Sequence, residues 1–235
     1  MLNREQLLIP GAIVVAGICI ALAILFTGAQ NASGTPNPGQ KLPAGNINDI
    51  RPVTSADHII GSPNSQILLV EYSDLECPYC KEFHATLKKL AADYAGTGKV
   101  AWVYRHFPLD KHPQATVEAE ASECVTALGG ENAFWQFIDH IFEVTPSNNQ
   151  FDLSLLPQFA KEAGVDEAQF SNCLSAHTYK QKVVADYANA IATGADATPW
   201  TIVVIPKTGE KAFINGAQSY DNLKKSIESV LSQGK

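Results

Sequence analysis

The sequence predicts an α/β domain in which a strand–helix–strand unit is followed by a block of helices and then by two strands and a helix. Three observations support this fold class. The apolar runs "ILLVEY" at 67–72 and "WTIVVI" at 200–205 have the composition of buried strands. Between residues 114 and 194, apolar residues recur at spacings of three and four, which is typical of amphipathic helices. With 235 residues, of which 46% are hydrophobic and 17% charged, the chain can form the core of one sizeable domain.

An apolar segment precedes this domain. Leu7 to Phe26 is a run of twenty residues without a charge, about the length that a helix needs to cross a hydrocarbon core of roughly 30 Å. We therefore expect residues 1–27 to form an N-terminal transmembrane helix. The alternative is a cleaved signal segment, whose apolar core usually has only about 7–15 residues. Arg4 precedes the span and the next basic residue is Lys41, so the positive-inside rule predicts a single-pass protein of the cytoplasmic membrane with its folded domain outside.

The segment after the apolar run predicts a linker. Residues 28–60 are rich in Gly, Asn, Pro, Ser and Ala and lack a sustained periodicity, which is typical of a flexible connection. The folded domain is then expected over residues 61–235, in a compartment where disulfides persist. The formal net charge of -7, without a basic stripe, argues against nucleic acid as a partner.

The elements of the domain follow in order from local patterns. After the strand at 67–72, a helix should begin at a pair of cysteines and run through "KEFHATLKKLAADYA" to the glycines of "GTG". "KVAWVYRHFPL" predicts a second strand, and the crossover between the two strands should be right-handed. After the helical insert at about 114–194, "WTIVVIPKTGEKAFING" predicts two strands joined by a turn, and Tyr220 to Leu231 a closing amphipathic helix.

The cysteine pair carries the strongest chemical signal. Cys77 and Cys80 lie three positions apart at the expected start of a helix, where unpaired N–H groups and the helix dipole stabilise a thiolate. Pro78 suits the first helical position, since its missing N–H would have no partner there. A pKa depression of about three units favours the reduced form by roughly 4 kcal/mol, or roughly 90 mV toward a stronger oxidant. The pattern therefore favours a thiol–disulfide redox centre.

Two other interpretations of the pair remain open. His84 would share a helical face with Cys77 and Cys80, as in half of a metal site, but structural zinc needs four ligands and no second cysteine pair supplies the rest. A purely structural bridge would close so short a loop that it would remove little entropy from the unfolded chain.

At this point the sequence resembles the thioredoxin superfamily, and within it the DsbA-like, membrane-tethered branch of thiol–disulfide oxidoreductases. The resemblance is carried by "CPYC" followed by "KEFH" after a strand, by "YRHFPL" at the end of the next strand, by the helical block in mid-domain and by "DATPW" leading into a strand. It covers about Val53 to Leu231 and implies a thioredoxin fold (βαβ…ββα) with a helical insertion between the second and third strands.

The resemblance also implies roles for residues around the pair. Thr198–Pro199 would be a cis peptide bond facing the cysteines, and it would bind substrate together with Pro78 and Tyr79. The alternative is a trans proline that opens an edge strand.

Glu71 stands where the family has a buried acid. It would exchange protons with Cys80 through a water, its pKa raised by burial. The alternative for Glu71 is a carboxylate that reaches solvent or pairs with Arg105.

The remaining cysteines of the domain lie on apolar stripes of two predicted insert helices. In an oxidising compartment Cys124 and Cys173 are expected to form a structural disulfide worth roughly 4 kcal/mol, since it would close a loop of about fifty residues. Buried free thiols are the alternative.

The function expected from these features is disulfide formation in exported proteins, carried by the Cys77–Cys80 pair without another cofactor and without a metal. The resemblance implies a DsbB-like or vitamin-K-epoxide-reductase-like membrane protein that reoxidises the pair. "CPYC" differs from the "CPHC" of typical DsbA oxidases, and Thr198 before the proline is isomerase-like, so a disulfide isomerase or reductase of the same fold is the alternative. A function of a different class also remains an alternative, namely that of a tethered metal-binding or chaperone module.

Overall fold

The computed structural model describes residues 45–233, so the predicted anchor at 1–27 and the first part of the predicted linker lie outside the described residues. Within the described range the chain forms one five-stranded mixed sheet and seven α-helices. Among these residues no helix has the length and apolar character needed to cross a membrane.

From Ile67 onward the helices and strands follow the predicted order. The strands of the described residues are β1 His58–Ile60, β2 Ile67–Ser73, β3 Val100–His106, β4 Trp200–Ile205 and β5 Glu210–Asn215. The helices are α1 Pro78–Asp93, α2 Pro113–Gly129, α3 Glu131–Val144, α4 Leu156–Glu162, α5 Glu167–Ser175, α6 Lys180–Ala192 and α7 Tyr220–Gln233. Two short 3-10 helices cover Ile47–Asp49 and Leu153–Leu155.

The sheet has the strand order β1-β3-β2-β4-β5. β2 pairs with β3 in parallel, with Glu71 opposite Tyr104, and every other pair in the sheet is antiparallel. Helices α2 to α6 form the insert between β3 and β4. The predicted thioredoxin-like α/β fold is therefore confirmed, and the helical insertion lies where the sequence places it.

The central strand of the sheet is wholly buried, because helices cover both of its faces. All seven residues of β2 are buried. One core cluster contains Leu69 and Trp102 together with apolar residues of α1 and the insert. A second cluster, on the opposite face, contains Leu68, Val70 and Trp200. This alternation along β2 decides which side chains can reach the first turn of α1.

The end of the predicted linker differs from expectation. Within residues 28–60, the segment from 45 onward packs against the domain: β1 pairs with the edge of β3. The reason is the buried guanidinium of Arg105, which needs acceptors. It donates to Asp57 at 2.7 Å and to the backbone carbonyls of Arg51 and Pro52. The Gly-, Asn- and Pro-rich composition conceals this requirement, because the partner lies about fifty positions away in the chain.

The insert is closed by a covalent link. The structure joins Cys124 of α2 to Cys173 of α5 in a disulfide, as the sequence predicts. Cys124 is buried and Cys173 half-buried, and the two are 49 positions apart in the sequence. The bridge therefore ties together two insert helices, α2 and α5, which also pack directly against each other.

We expect the double variant Cys124→Ala/Cys173→Ala to lose roughly 4 kcal/mol of unfolding free energy, because the unfolded chain regains the entropy of a long open loop. Urea denaturation followed by far-UV circular dichroism measures this. The matched control is Cys77→Ala/Cys80→Ala, which also removes two cysteines but leaves the Cys124–Cys173 bridge intact. A loss below about 1 kcal/mol would contradict the structural role of this bridge.

Candidate active site

The cysteine pair lies at the start of α1. Cys77 is the N-cap, with extended backbone angles, and Pro78 occupies the first turn. Cys80 follows in the same turn, and the Cys77 sulfur lies beside the unpaired backbone N–H groups of Tyr79 and Cys80. Both cysteines are free thiols in the structure. The predicted helix start at the pair is thus confirmed.

The environment of Cys77 favours its thiolate. A hydrogen bond from Cys80 is the largest influence that lowers the pKa of Cys77, and Thr198 and the backbone N–H groups of Cys80 and Tyr79 add to it. Together they outweigh burial and bring the pKa to about 6. When protonated, the thiol donates to the carbonyl of Thr198 at 3.5 Å. Cys77 is therefore largely ionised at neutral pH.

Cys80 has the opposite environment. Its side chain is completely buried, and burial raises its pKa well above that of an ordinary thiol. The negative charges of Cys77 and Glu71 raise it further. The pair is therefore asymmetric: one sulfur is a ready nucleophile, and the other holds its proton.

The chain around the pair brings together the residues expected to bind substrate. The Thr198–Pro199 peptide bond is cis, as predicted, and it lies just before β4 with the Thr198 carbonyl against Cys77. Both residues of this dipeptide are buried. Tyr79 projects from the surface with 62% of its side chain exposed, and Pro78 is half-buried. Of these residues Tyr79 is therefore the one most open to an approaching polypeptide.

Glu71 lies behind the cysteines and is completely buried. Its two carboxylate oxygens accept hydrogen bonds from the Ser73 hydroxyl and from the Trp102 indole, each at 2.9 Å. Burial, with a smaller contribution from the negative charge of Cys77, outweighs these two hydrogen bonds and raises its pKa to about 7. The alternative pairing with Arg105 does not occur, because Arg105 points to the other face of the sheet and pairs with Asp57. Glu71 can thus hold or release a proton near neutral pH.

A pair of buried acids, Glu76 and Glu118, which sequence reasoning missed, lies beside Cys77. Glu76 immediately precedes Cys77, and its carboxylate accepts the backbone N–H groups of Asn149 and Phe151. Glu118 of α2 faces it from the insert, and burial, followed by the negative charge of Glu76, raises the pKa of Glu118 to about 9. Glu118 is therefore neutral at pH 7. Glu76 fastens the insert to the start of α1 through these N–H groups, and only the presence of acids in an apolar setting signals the pair.

The side chains that could bind a metal have other hydrogen-bond partners in the structure. His84 bonds to Asp139 at 2.6 Å. A separate buried group, His58, His106 and Glu123, has ligand atoms within 4.8 Å of one another. Its Glu123 oxygen, however, already binds both imidazoles and the ammonium of Lys182, which lies 2.5 Å away. The residues of this group satisfy one another as an ion-paired network. That the protein holds no metal stays a prediction.

Comparison with known proteins gives a family and several structural relatives. A profile of the thioredoxin family matches residues 53–229. The crystal structure of Pseudomonas aeruginosa DsbA2 superposes with a TM-score of 0.63 at 27% identity, over 76% of this chain and 96% of that one. BdbD from Bacillus subtilis, in its oxidised form, gives a TM-score of 0.67 at 24% identity, over 78% and 97%, which shows a common fold.

Similar curated proteins include two much longer ones. The Na(+)/H(+) antiporter NhaA 1 of Mycolicibacterium gilvum is 32% identical over 158 residues, which are 66% of this chain and 24% of that protein. NhaA of Herminiimonas arsenicoxydans is 34% identical over 61% of this chain and 21% of its own length. The chain therefore spans less than a quarter of the length of these relatives, and ion exchange remains an activity named for them.

We expect the rate of Cys77 alkylation by iodoacetamide in the reduced protein to rise with an inflection near pH 6, because only the thiolate reacts. Cys80→Ala removes the largest cause of the low pKa and should move the inflection up toward about 8.5. Cys80→Ser keeps a hydroxyl donor at that position and is the matched control, with a smaller upward shift. A wild-type inflection at the ordinary thiol value, unmoved by Cys80→Ala, would contradict this assignment. Mass spectrometry of the peptide that contains Cys77 measures the rate.

Proposed function

The chain belongs to the thioredoxin family and is a DsbA-like thiol–disulfide oxidoreductase by fold, and we propose that it introduces disulfides into exported proteins. The observation that carries this proposal is the opposite ionisation of the two thiols of the pair. The pKa of Cys77 is lowered to about 6, whereas burial holds the pKa of Cys80 well above its ordinary value.

The reaction begins with the pair in its disulfide form. A client thiolate attacks the sulfur of Cys77, the Cys77–Cys80 bond breaks, and its electron pair goes to Cys80, which takes up a proton. A second client thiolate then attacks the client sulfur bound to Cys77 and forms the client disulfide. Cys77 leaves as a thiolate, so the client loses two electrons and the pair gains them. The sulfur that leaves last is the one with the low pKa, which makes it a good leaving group.

The same asymmetry supports the direction of the reaction. A stabilised Cys77 thiolate lowers the free energy of the reduced pair and leaves the disulfide unaffected. The disulfide of the protein is then a stronger oxidant than an ordinary one. Tyr79, which is exposed, and the backbone at Thr198, which lies against Cys77, would hold the client while the sulfurs react.

Location and partners belong to the same proposal. The apolar run Leu7 to Phe26 would anchor the domain at the outer face of the cytoplasmic membrane, where exported clients still carry free thiols. A DsbB-like or vitamin-K-epoxide-reductase-like membrane protein would take the two electrons from the reduced pair. No cofactor beyond the Cys77–Cys80 disulfide is needed, because the cysteines themselves carry the electrons.

A disulfide isomerase or reductase is the second candidate, favoured by Tyr79 in place of the histidine of typical DsbA oxidases and by Thr198 before the cis proline. Either activity would start from the reduced pair, which a reductase converts to the disulfide and an isomerase regenerates. Cys77 would then attack a client disulfide, and Cys80 would resolve the mixed disulfide.

The test mixes the oxidised protein with a reduced, unfolded protein that folds only when its disulfides form. We expect client thiols to be lost in proportion to the protein disulfide consumed, counted with a thiol reagent. Cys77→Ser should abolish the reaction, because the attacked sulfur is missing. Lys88→Ala, at an exposed position of α1, is the control and should keep full activity.

If client thiols survive the oxidised protein while the reduced protein cleaves insulin disulfides, the protein is a reductase. The metal content of the purified protein tests the third possibility, which is a tethered metal-binding module. Such a carrier should retain about one equivalent of metal on Cys77 and Cys80.

A further inference from the structure

A left-handed turn lies beside the redox pair, in the loop that follows α3. Ser147, Asn148 and Asn149 have φ angles of 65°, 55° and 63°. This backbone region is costly for residues other than glycine, although asparagine tolerates it better than most. A costly conformation persists only where its surroundings hold it, and such conformations cluster at functional sites. We call residues 145–151 the left-handed loop.

Glu76, the residue directly before Cys77, holds this loop from one side. Its backbone carbonyl accepts the N–H of Asn148 at 2.8 Å. Its carboxylate accepts the N–H groups of Asn149 and Phe151. Glu76 is completely buried, so these hydrogen bonds are shielded from water and are strong. The backbone of Asn148 therefore lies directly against the segment that carries the reactive sulfur.

Two further contacts fix the left-handed loop from its other sides. Lys81, one helical turn after Cys77, donates through its ammonium group to the carbonyl of Thr145 at 2.7 Å. The side chain of Asn149 donates to the carbonyl of Lys111, just before α2, at 2.9 Å. The loop is thus bound to residues on both sides of the redox pair and to the start of the insert.

These contacts leave one side chain of the turn available to a partner. Ser147 is buried and the Asn149 amide is bonded, whereas Asn148 is exposed and its amide has no hydrogen-bond partner among residues 45–233. An amide side chain carries donors and an acceptor, as does each peptide group of an extended polypeptide. The exposed residues of the loop, Pro146, Asn148 and Gln150, carry no charge, so this surface does not select a client by its charge.

We propose that Asn148 is a client-binding residue and that Glu76 is the positioning residue that holds it beside Cys77. The inference rests on the proposed function. While a client cysteine reacts with the sulfur of Cys77, the Asn148 amide hydrogen-bonds with a peptide group of the client next to that cysteine. Such a contact reads the backbone of the client rather than its side chains, which suits clients of differing sequence.

The test compares two dithiols that reduce the oxidised protein at pH 7 in a quenched-flow instrument. One is a capped, uncharged peptide with two cysteines, and the other is dithiothreitol, which has no peptide group. Mass spectrometry after an acid quench counts the reduced protein. Asn148→Gly should slow the peptide reaction by roughly fivefold, the effect of one lost hydrogen bond, and leave the dithiothreitol reaction unchanged. Glycine adopts the left-handed conformation freely, so this variant removes the amide and keeps the turn.

The role of Glu76 is tested by the ratio of the two rates. Glu76→Gln leaves one acceptor oxygen for two N–H groups, so the turn loosens and the peptide reaction should slow about as much as in Asn148→Gly, relative to dithiothreitol. The rate with dithiothreitol reports any change in Cys77 itself, and the ratio removes it. Asn148→Gly/Glu76→Gln should have the same ratio as either single variant, because both remove one contact.

His177→Gly is the matched control. His177 is also exposed and left-handed, with φ of 50°, but it lies in the turn between α5 and α6. This variant should keep both rates, because its side chain is not part of the left-handed loop.

Each contrary result has a distinct meaning. An Asn148→Gly variant that keeps the peptide rate overturns the client contact, and it does so even if Glu76→Gln fails to fold. Equal slowing with peptide and dithiothreitol also overturns it, because the loop would then act on the sulfurs and not on the client. A Glu76→Gln variant with an unchanged ratio overturns the positioning role alone. If the wild-type protein reacts with dithiothreitol but not with the peptide, the proposed function fails, and the inference fails with it.

Discussion

The site depends on one constraint, which is that two thiols three residues apart must ionise at very different pH. The start of α1 provides the means, because Cys77 lies at the N-cap near free N–H groups while Cys80 points into the core. The hydrogen bond between them then lowers the pKa of Cys77 and raises that of Cys80. A disulfide between such thiols has a preferred point of attack and a preferred leaving group.

The rest of the fold supplies and protects this asymmetry. The wholly buried strand β2 ends directly before the pair and carries Glu71 and Ser73 on the face toward α1. The insert covers that face and is fastened to Glu76 by backbone N–H groups, which hold the residue before Cys77 in place. The Thr198 carbonyl, just before β4, lies against the Cys77 sulfur. Sheet, insert and helix thus each contribute one boundary of the site.

The redox pair, the order of elements and the helical insert were predictable, because strand runs, helical periodicity and the Cys-X-X-Cys spacing are local patterns. The contribution of residues 45–60 was not, since it depends on Arg105 finding acceptors far away in the chain. Glu118 was missed for the same reason: only packing brings it beside Glu76. The Ser73 hydroxyl that donates to Glu71 was also missed, because strand register rather than a sequence motif places it there.

The reduction potential of the Cys77–Cys80 pair tests the central claim most directly. It is measured on the folded domain by equilibration with glutathione buffers of known ratio, with the fraction oxidised counted by thiol labelling. A stabilised Cys77 thiolate predicts a value less negative than about -200 mV, toward the about -120 mV of a strong disulfide oxidant. A value of about -250 mV or lower would contradict the account, because the ionisation of Cys77 would then not be favouring the reduced pair.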